Sequence, residues 1–161
     1  MPPGNSTLPL TVQQRIINAL SSKIESLPAT GDPYFRKVFR GDLDDLGNVP
    51  LPCASIDFGT EELVDSYGGC NVYMWPLFFH FRFRGQRGLD EHDKFLYYLG
   101  IMKEAVLGDH NLGGLTDNII EDSNAHTIIG IEDAHPGGTL VVIAKYRTRL
   151  HNPYKLVTEA P

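Results

Sequence analysis

Between Leu77 and Arg84 the chain alternates without a break. Leu77, Phe79, Phe81 and Phe83 take one set of positions, and Phe78, His80, Arg82 and Arg84 take the other. Successive side chains of a strand point to opposite faces, so this stretch has one face for a core and one that carries cations. No helical period accommodates the pattern, so a β-sheet is required. The strand is expected over Asn71–Arg84, the longest aromatic run of the chain, with Pro76 splitting it and Val72–Trp75 bending away or belonging to a flap.

A second strand is expected in the run from Gly138 to Tyr154. Leu140, Val141, Val142, Ile143 and Ala144 are apolar at every position, the pattern of a central strand covered on both sides. Beyond them Tyr146, Thr148 and Leu150 fall on one face and Lys145, Arg147 and Arg149 on the other. Pro153, with no N–H to give to a ladder, is expected to stop it.

Two amphipathic helices complete the pattern. Thr11 is a candidate N-cap, followed by Val12, Ile16, Leu20, Ile24 and Leu27, with Ile17 beside them, and Pro28 at the end. The second helix is expected to start at an Asp90 cap, with Glu91 and Asp93 in its first turn and a stripe of Phe95, Leu99, Met102 and Val106. Gly108 is its expected C′ residue, and Gly100 is an unfavourable interior position. Shorter strands are read at Tyr34–Arg40, Leu51–Phe58, Leu115–Asp122 and His126–Glu132, with Gly59–Gly69 read as a connection. The order α-β-β-β-α-β-β-β, with connections mostly too short for parallel crossovers, predicts an α+β domain with a mainly antiparallel sheet. Residues 1–10 read as an extended arm, 11–154 as the single domain and 155–161 as a C-terminal tail.

Composition narrows the function classes. The chain has 161 residues, 42% hydrophobic and 21% charged, and a formal net charge of −6, an ordinary globular balance that does not favour nucleic acid globally. No apolar stretch reaches membrane-spanning length, and Met1–Leu10 lacks the basic and apolar regions of a secretory signal. Synthesis in the cytosol is the expectation. Cys53 and Cys70 are expected to be free, buried thiols, since an intracellular pair without C-x-x-C spacing rarely bridges.

Catalytic patterns are not found. His80, His92, His110, His126, His135 and His151 lack the close spacing of zinc ligands. There is no G-x-S-x-G, no phosphate-cradling G-x-x-x-x-G-K-[ST] and no G-x-G-x-x-G after a strand. No catalytic, cofactor or metal site is therefore expected. A nucleic-acid module using Arg82, Arg84, Arg87, Lys145, Arg147 and Arg149 is an alternative, weakened because the aromatic and basic side chains of Phe81–Arg84 lie on opposite faces. Assembly is the third reading, and ordinary solvated faces account for the charge pattern equally well. The basic rows contrast with acidic clusters at Asp42/Asp44/Asp45, Glu61/Glu62/Asp65, Glu121/Asp122 and Glu132/Asp133, and complementary patches at different places on one chain suit a head-to-tail ring. The candidate interface residues are Arg82, Arg84, Arg87, Lys145, Arg147 and Arg149 with Asp42, Asp44, Asp45, Glu132 and Asp133.

The segment Leu112, Gly113, Gly114 and Leu115, the later run Tyr146, Arg147, Thr148 and Arg149, and Asn152, Pro153 and Tyr154 after it resemble the C-terminal half of tail terminator proteins of tailed phages. The order of the helices and the long aromatic strand is also similar over most of Thr11–Tyr154. The resemblance implies an α+β subunit of a six-membered ring that caps the tail tube, stops its polymerisation and offers a surface to the head connector. It implies the tube protein and connector or neck proteins as partners, and nucleic acid only in transit through the ring lumen. The expected location is the head-proximal end of the virion tail, after assembly in the host cytoplasm. A connector or neck subunit of the same particle is the nearest alternative.

Overall fold

The computed structural model describes residues 9–27, 34–35, 37–41, 48–85, 91–122 and 136–159. Its described elements are helix α1 (Val12–Glu25), strands β1 (Val38–Arg40), β2 (Cys53–Phe58), β3 (Glu62–Tyr67) and β4 (Cys70–Arg82), helix α2 (Glu91–Leu107), a short 3-10 helix (Leu112–Gly114), and strands β5 (Asn118–Glu121), β6 (Gly137–Arg149) and β7 (Asn152–Leu156). The seven described strands form one mostly antiparallel sheet. Its path runs β1-β2-β4-β6-β5, with β3 beside β4 and β7 beside β6. The fold is α+β.

The paired 13-residue strands β4 and β6 are the spine, in continuous register from Cys70 opposite Arg149 to Arg82 opposite Gly137. Trp75, Leu77, Phe79 and Phe81 share a face with Ala144, Val142, Leu140 and Gly138. Against that face pack Val12, Ile16, Leu20 and Ile24 of α1 and Phe95, Met102 and Val106 of α2. Both helices thus cover the same side. Helix α1 begins as expected: Thr11 accepts from the Gln14 backbone N–H at 3.2 Å, while the Gln14 side chain accepts from the Thr11 N–H at 2.9 Å. Such a reciprocal cap contributes on the order of 1 kcal/mol.

Pro76 does not split the long strand. Its carbonyl accepts from the Gly59 N–H at 2.9 Å, so its backbone points toward the kink between β2 and β3, where the missing N–H interrupts no regular ladder. That kink also accounts for the overlooked strand. Gly59–Gly69 is not merely a connection, because β3 pairs antiparallel with β4 after a further register shift between Leu63 and Asp65. All six residues of β3 are exposed, so no buried alternation marks it in the sequence.

The last strand also departs from expectation. β6 ends at Arg149, the chain reverses through Leu150 and His151, and β7 returns beside it. Pro153 lies inside β7, a strand with one described neighbour, where a missing donor is tolerated. Lys155 and Leu156 thus belong to the sheet. Only one side of β6 is fully covered: Leu140, Val142 and Ala144 are buried, whereas Val141 and Ile143 on the other side are half-buried. In the region read as Tyr34–Arg40, the described strand is Val38–Arg40, which runs parallel to β2. The strand expected over Leu115–Asp122 is limited to Asn118–Glu121. The strand at His126–Glu132, the Asp90 cap, Pro28 and the arm from Met1 to Leu8 lie outside the described residues.

Candidate interaction surface

The sheet face turned away from the helices carries Met74, Pro76 and Phe78 of β4 beside Lys145, Ile143 and Val141 of β6, with Ile120 of β5 opposite Ile143. The β4 and β6 members other than Lys145 are half-buried, and Ile120 is 45% exposed. At one end this face is closed by a small second core, where Leu51 and Cys53 pack with Phe39 and Val49. Over the central band no described helix lies. His80 and Thr139 continue it, joined by a 2.8 Å contact between His80 Nδ1 and Thr139 Oγ1, and Phe78 stacks on the His80 ring.

The basic row on β6 divides into three environments. Lys145 is exposed. The Arg147 guanidinium donates to Asp117 at 2.9 Å through Nε and lies 2.8 Å from it through Nη2. That bond and the Asp117 charge hold the guanidinium pKa above its ordinary value. Arg149 donates through Nε to the Glu159 carbonyl oxygen at 3.0 Å, and its Nη2 binds the same atom. The Glu159 carboxylate in turn meets Arg15 of α1 at 2.8 Å and accepts from the Leu156 N–H at 2.9 Å. Arg15 lowers its pKa. Two of the three cations assigned to a neighbouring copy from sequence therefore have partners in their own chain.

On β4, Arg82 lies on the helix-free face opposite Cys53. Arg84 is exposed beyond the strand end, and its carbonyl accepts from Lys94 Nζ at 3.2 Å. Arg87, Asp42, Asp44, Asp45, Glu132 and Asp133 lie outside the described residues. Both cysteines are free and buried. Burial pushes the Cys53 thiol up to about 11, and the Cys70 thiol donates to the Tyr67 carbonyl at 3.1 Å.

A polar cleft of about 400 Å³ opens on the helix side, at the end where β3, β4, β6 and β7 lie together. Its lining includes Gln13, Glu61, Asn71, Tyr146, Arg149 and His151. The Tyr146 hydroxyl donates to Glu61, and Gln13 Nε2 donates to the same carboxylate oxygen at 2.6 Å. Tyr73 stacks on Tyr146 with ring centroids 5.4 Å apart and accepts from Asn71 at 3.2 Å. Burial first, then the Glu61 bond and charge, push the Tyr146 phenol far above its ordinary value. A phenol held protonated in this way is a poor general base near neutrality. Among the described residues, Glu61 and His151 are the carboxylate and imidazole that line the cleft, and no group of three potential ligands suited to a metal occurs. Sequence reasoning missed this network. Gln13, Glu61 and Tyr146 are far apart in the chain, and Glu61 read only as part of an acidic connection.

No described helix is long and apolar enough to cross a membrane. No protein-family model matches the chain, and neither does any curated protein.

Proposed function

We propose that this protein is a ring-forming structural subunit of a phage tail, of the terminator type: it caps the tube, stops its growth and presents a surface to the head connector. The observation that carries the reading is the helix-free face of the sheet. Met74, Pro76, Phe78, Val141, Ile143 and Ile120 form an apolar band there, bordered by Lys145. A band of this kind is suited to contact with a protein partner.

In this reading six copies close a ring at the head-proximal end of the tail, and the apolar band meets the tube protein or a connector protein. DNA passes the lumen without being read. Incubation with purified tail tubes, followed by sedimentation and native mass spectrometry, tests the proposal. Co-sedimentation at tube ends and arrested tube growth are expected. A strictly monomeric protein that leaves tubes unbound and still growing would overturn it, and binding to isolated connectors alone would favour a neck subunit.

A further inference from the structure

The polar cleft on the helix side has a volume of about 400 Å³, within the range of small-molecule sites, roughly 300 to 1,000 Å³. Such sites are mostly apolar with a few polar groups. This one is the reverse, since amides, a carboxylate, a guanidinium and an imidazole make up much of its wall. Those groups hold one another in place. Gln13 and Tyr146 both donate to Glu61 Oε2. Asn71 accepts from Ser66 Oγ at 2.9 Å and donates to the Tyr73 hydroxyl, and Asn152 Oδ1 accepts from the Tyr154 N–H at 3.1 Å.

The same bonds leave a defined remainder. Among the described residues, no hydrogen bond within the chain engages Gln13 Oε1, Glu61 Oε1 or Asn152 Nδ2, and the Tyr73 hydroxyl, an acceptor from Asn71, keeps its own proton to donate. The wall thus offers two acceptors and two donors. A hydroxyl both donates and accepts, so a wall of this mixed kind matches a molecule that carries several of them. The Tyr73 ring and Pro153 add apolar surface for the C–H groups of a sugar ring.

Charge points the same way. With histidine neutral, Glu61 and Arg149 are the lining residues that bear full charges, and they cancel. An anion would meet Glu61, and a cation would meet Arg149. For the carboxylate of a zwitterion, the Nε–Nη2 edge of Arg149 is already committed to the Glu159 carbonyl oxygen, which closes that bidentate fork. His151, in the turn between β6 and β7, has a φ of 58°. Glycine or asparagine suits such a turn position better, and residues held in this way concentrate at ligand sites.

We propose that the cleft binds a neutral saccharide. Glu61 Oε1 and Gln13 Oε1 accept from its hydroxyls, Tyr73 and Asn152 donate to them, and the His151 imidazole supplies a further polar contact. This site goes beyond the ring reading and does not depend on it.

Saturation-transfer NMR and titration calorimetry on the full chain, at a pH above the ordinary histidine range, test the proposal with the methyl glycosides of glucose, galactose, mannose and N-acetylglucosamine. At least one is expected to bind, and neither glycine nor inorganic phosphate is expected to displace it. Glu61→Gln keeps the side-chain shape and should weaken binding about tenfold. His151→Gly relieves the positive φ, so it should keep or raise the thermal midpoint while weakening binding several-fold. A merely structural His151 would leave the affinity unchanged. Circular dichroism confirms that each variant is folded. Failure of all four glycosides to bind overturns the proposal, as does binding that neither substitution alters, or displacement by glycine or phosphate. Tube capping without saccharide binding would retain the proposed function and discard this site. Saccharide binding without tube capping would do the reverse.

Discussion

The hydroxyl of Tyr146 donates to the carboxylate of Glu61, a residue 85 positions away in the chain. Tyr146 belongs to β6, Glu61 sits at the kink between β2 and β3, and Gln13 of α1 donates to the same oxygen. One carboxylate thus ties helix, kink and central strand. Tyr146→Phe keeps the ring and removes the donor. It is expected to cost about 1.5 to 3 kcal/mol, the range for a hydrogen bond to a charged group, toward the lower end because Glu61 is exposed. Urea denaturation should show a lower midpoint with an unchanged slope.

The same bond sets a pH dependence. The Tyr146 pKa is raised above its ordinary 10.0 in the folded protein, so above pH 10 the native state keeps a proton that the unfolded chain releases. Its stabilisation is complete below about pH 10 and falls as pH rises, by up to about 1.4 kcal/mol per pH unit. Tyr97 and Tyr98 are also shifted upward, but they are present in both proteins and cancel in the comparison. The stability gap between the native sequence and Tyr146→Phe should therefore narrow above about pH 10. A gap that stays constant between about pH 8 and pH 11 would show that Tyr146 is not held protonated.

Arg147 and Asp117 form an ion pair with side chains 38% and 29% exposed. For a pair this accessible, a double-mutant cycle with Arg147→Ala and Asp117→Ala should give a coupling of about 0.2 to 1 kcal/mol, weaker at 1 M salt. A coupling well above that range would mean that the pair is more sheltered than its exposure indicates.

Two glycines should respond in opposite senses. Nothing lies within 4 Å of a Cβ added at Gly100 in α2, so Gly100→Ala is expected to stabilise by up to about 1 kcal/mol. At Gly137 the added atom would lie 2.0 Å from the Phe81 carbonyl oxygen. Gly137→Ala must therefore push apart the paired strands β4 and β6, and a loss of about 1 to 3 kcal/mol or more is expected. Thermal unfolding should move the two midpoints in opposite directions, and a downward shift for Gly100→Ala would contradict the open space around it.

Ser55 is fully buried, and its hydroxyl has no hydrogen-bond partner among the described residues. An unsatisfied buried hydroxyl carries a desolvation cost with no return. Ser55→Ala should leave stability unchanged or raise it by up to about 1 kcal/mol, measured by urea denaturation. A clear loss would reveal a partner for the hydroxyl, such as an ordered water.

The sequence by itself determined the elements whose side chains face a core. The alternation of Leu77, Phe79, Phe81 and Phe83 and the stripe of Val12, Ile16, Leu20 and Ile24 are local records of burial, and all eight side chains are buried. The basic row of Lys145, Arg147 and Arg149 was legible for the same reason, because strand geometry alone puts the three on one face. Tertiary structure decided what that row contacts, since Asp117 and Glu159 reach Arg147 and Arg149 through a neighbouring strand and the chain end. It also decided β3, whose six residues are all exposed and which is held in the sheet by pairing with β4, and the place of Pro153 on a strand with one described neighbour. Periodicity encodes which side of an element is buried. Which element supplies the hydrogen-bond or charge partner depends on how distant segments are brought together, and no local pattern records that.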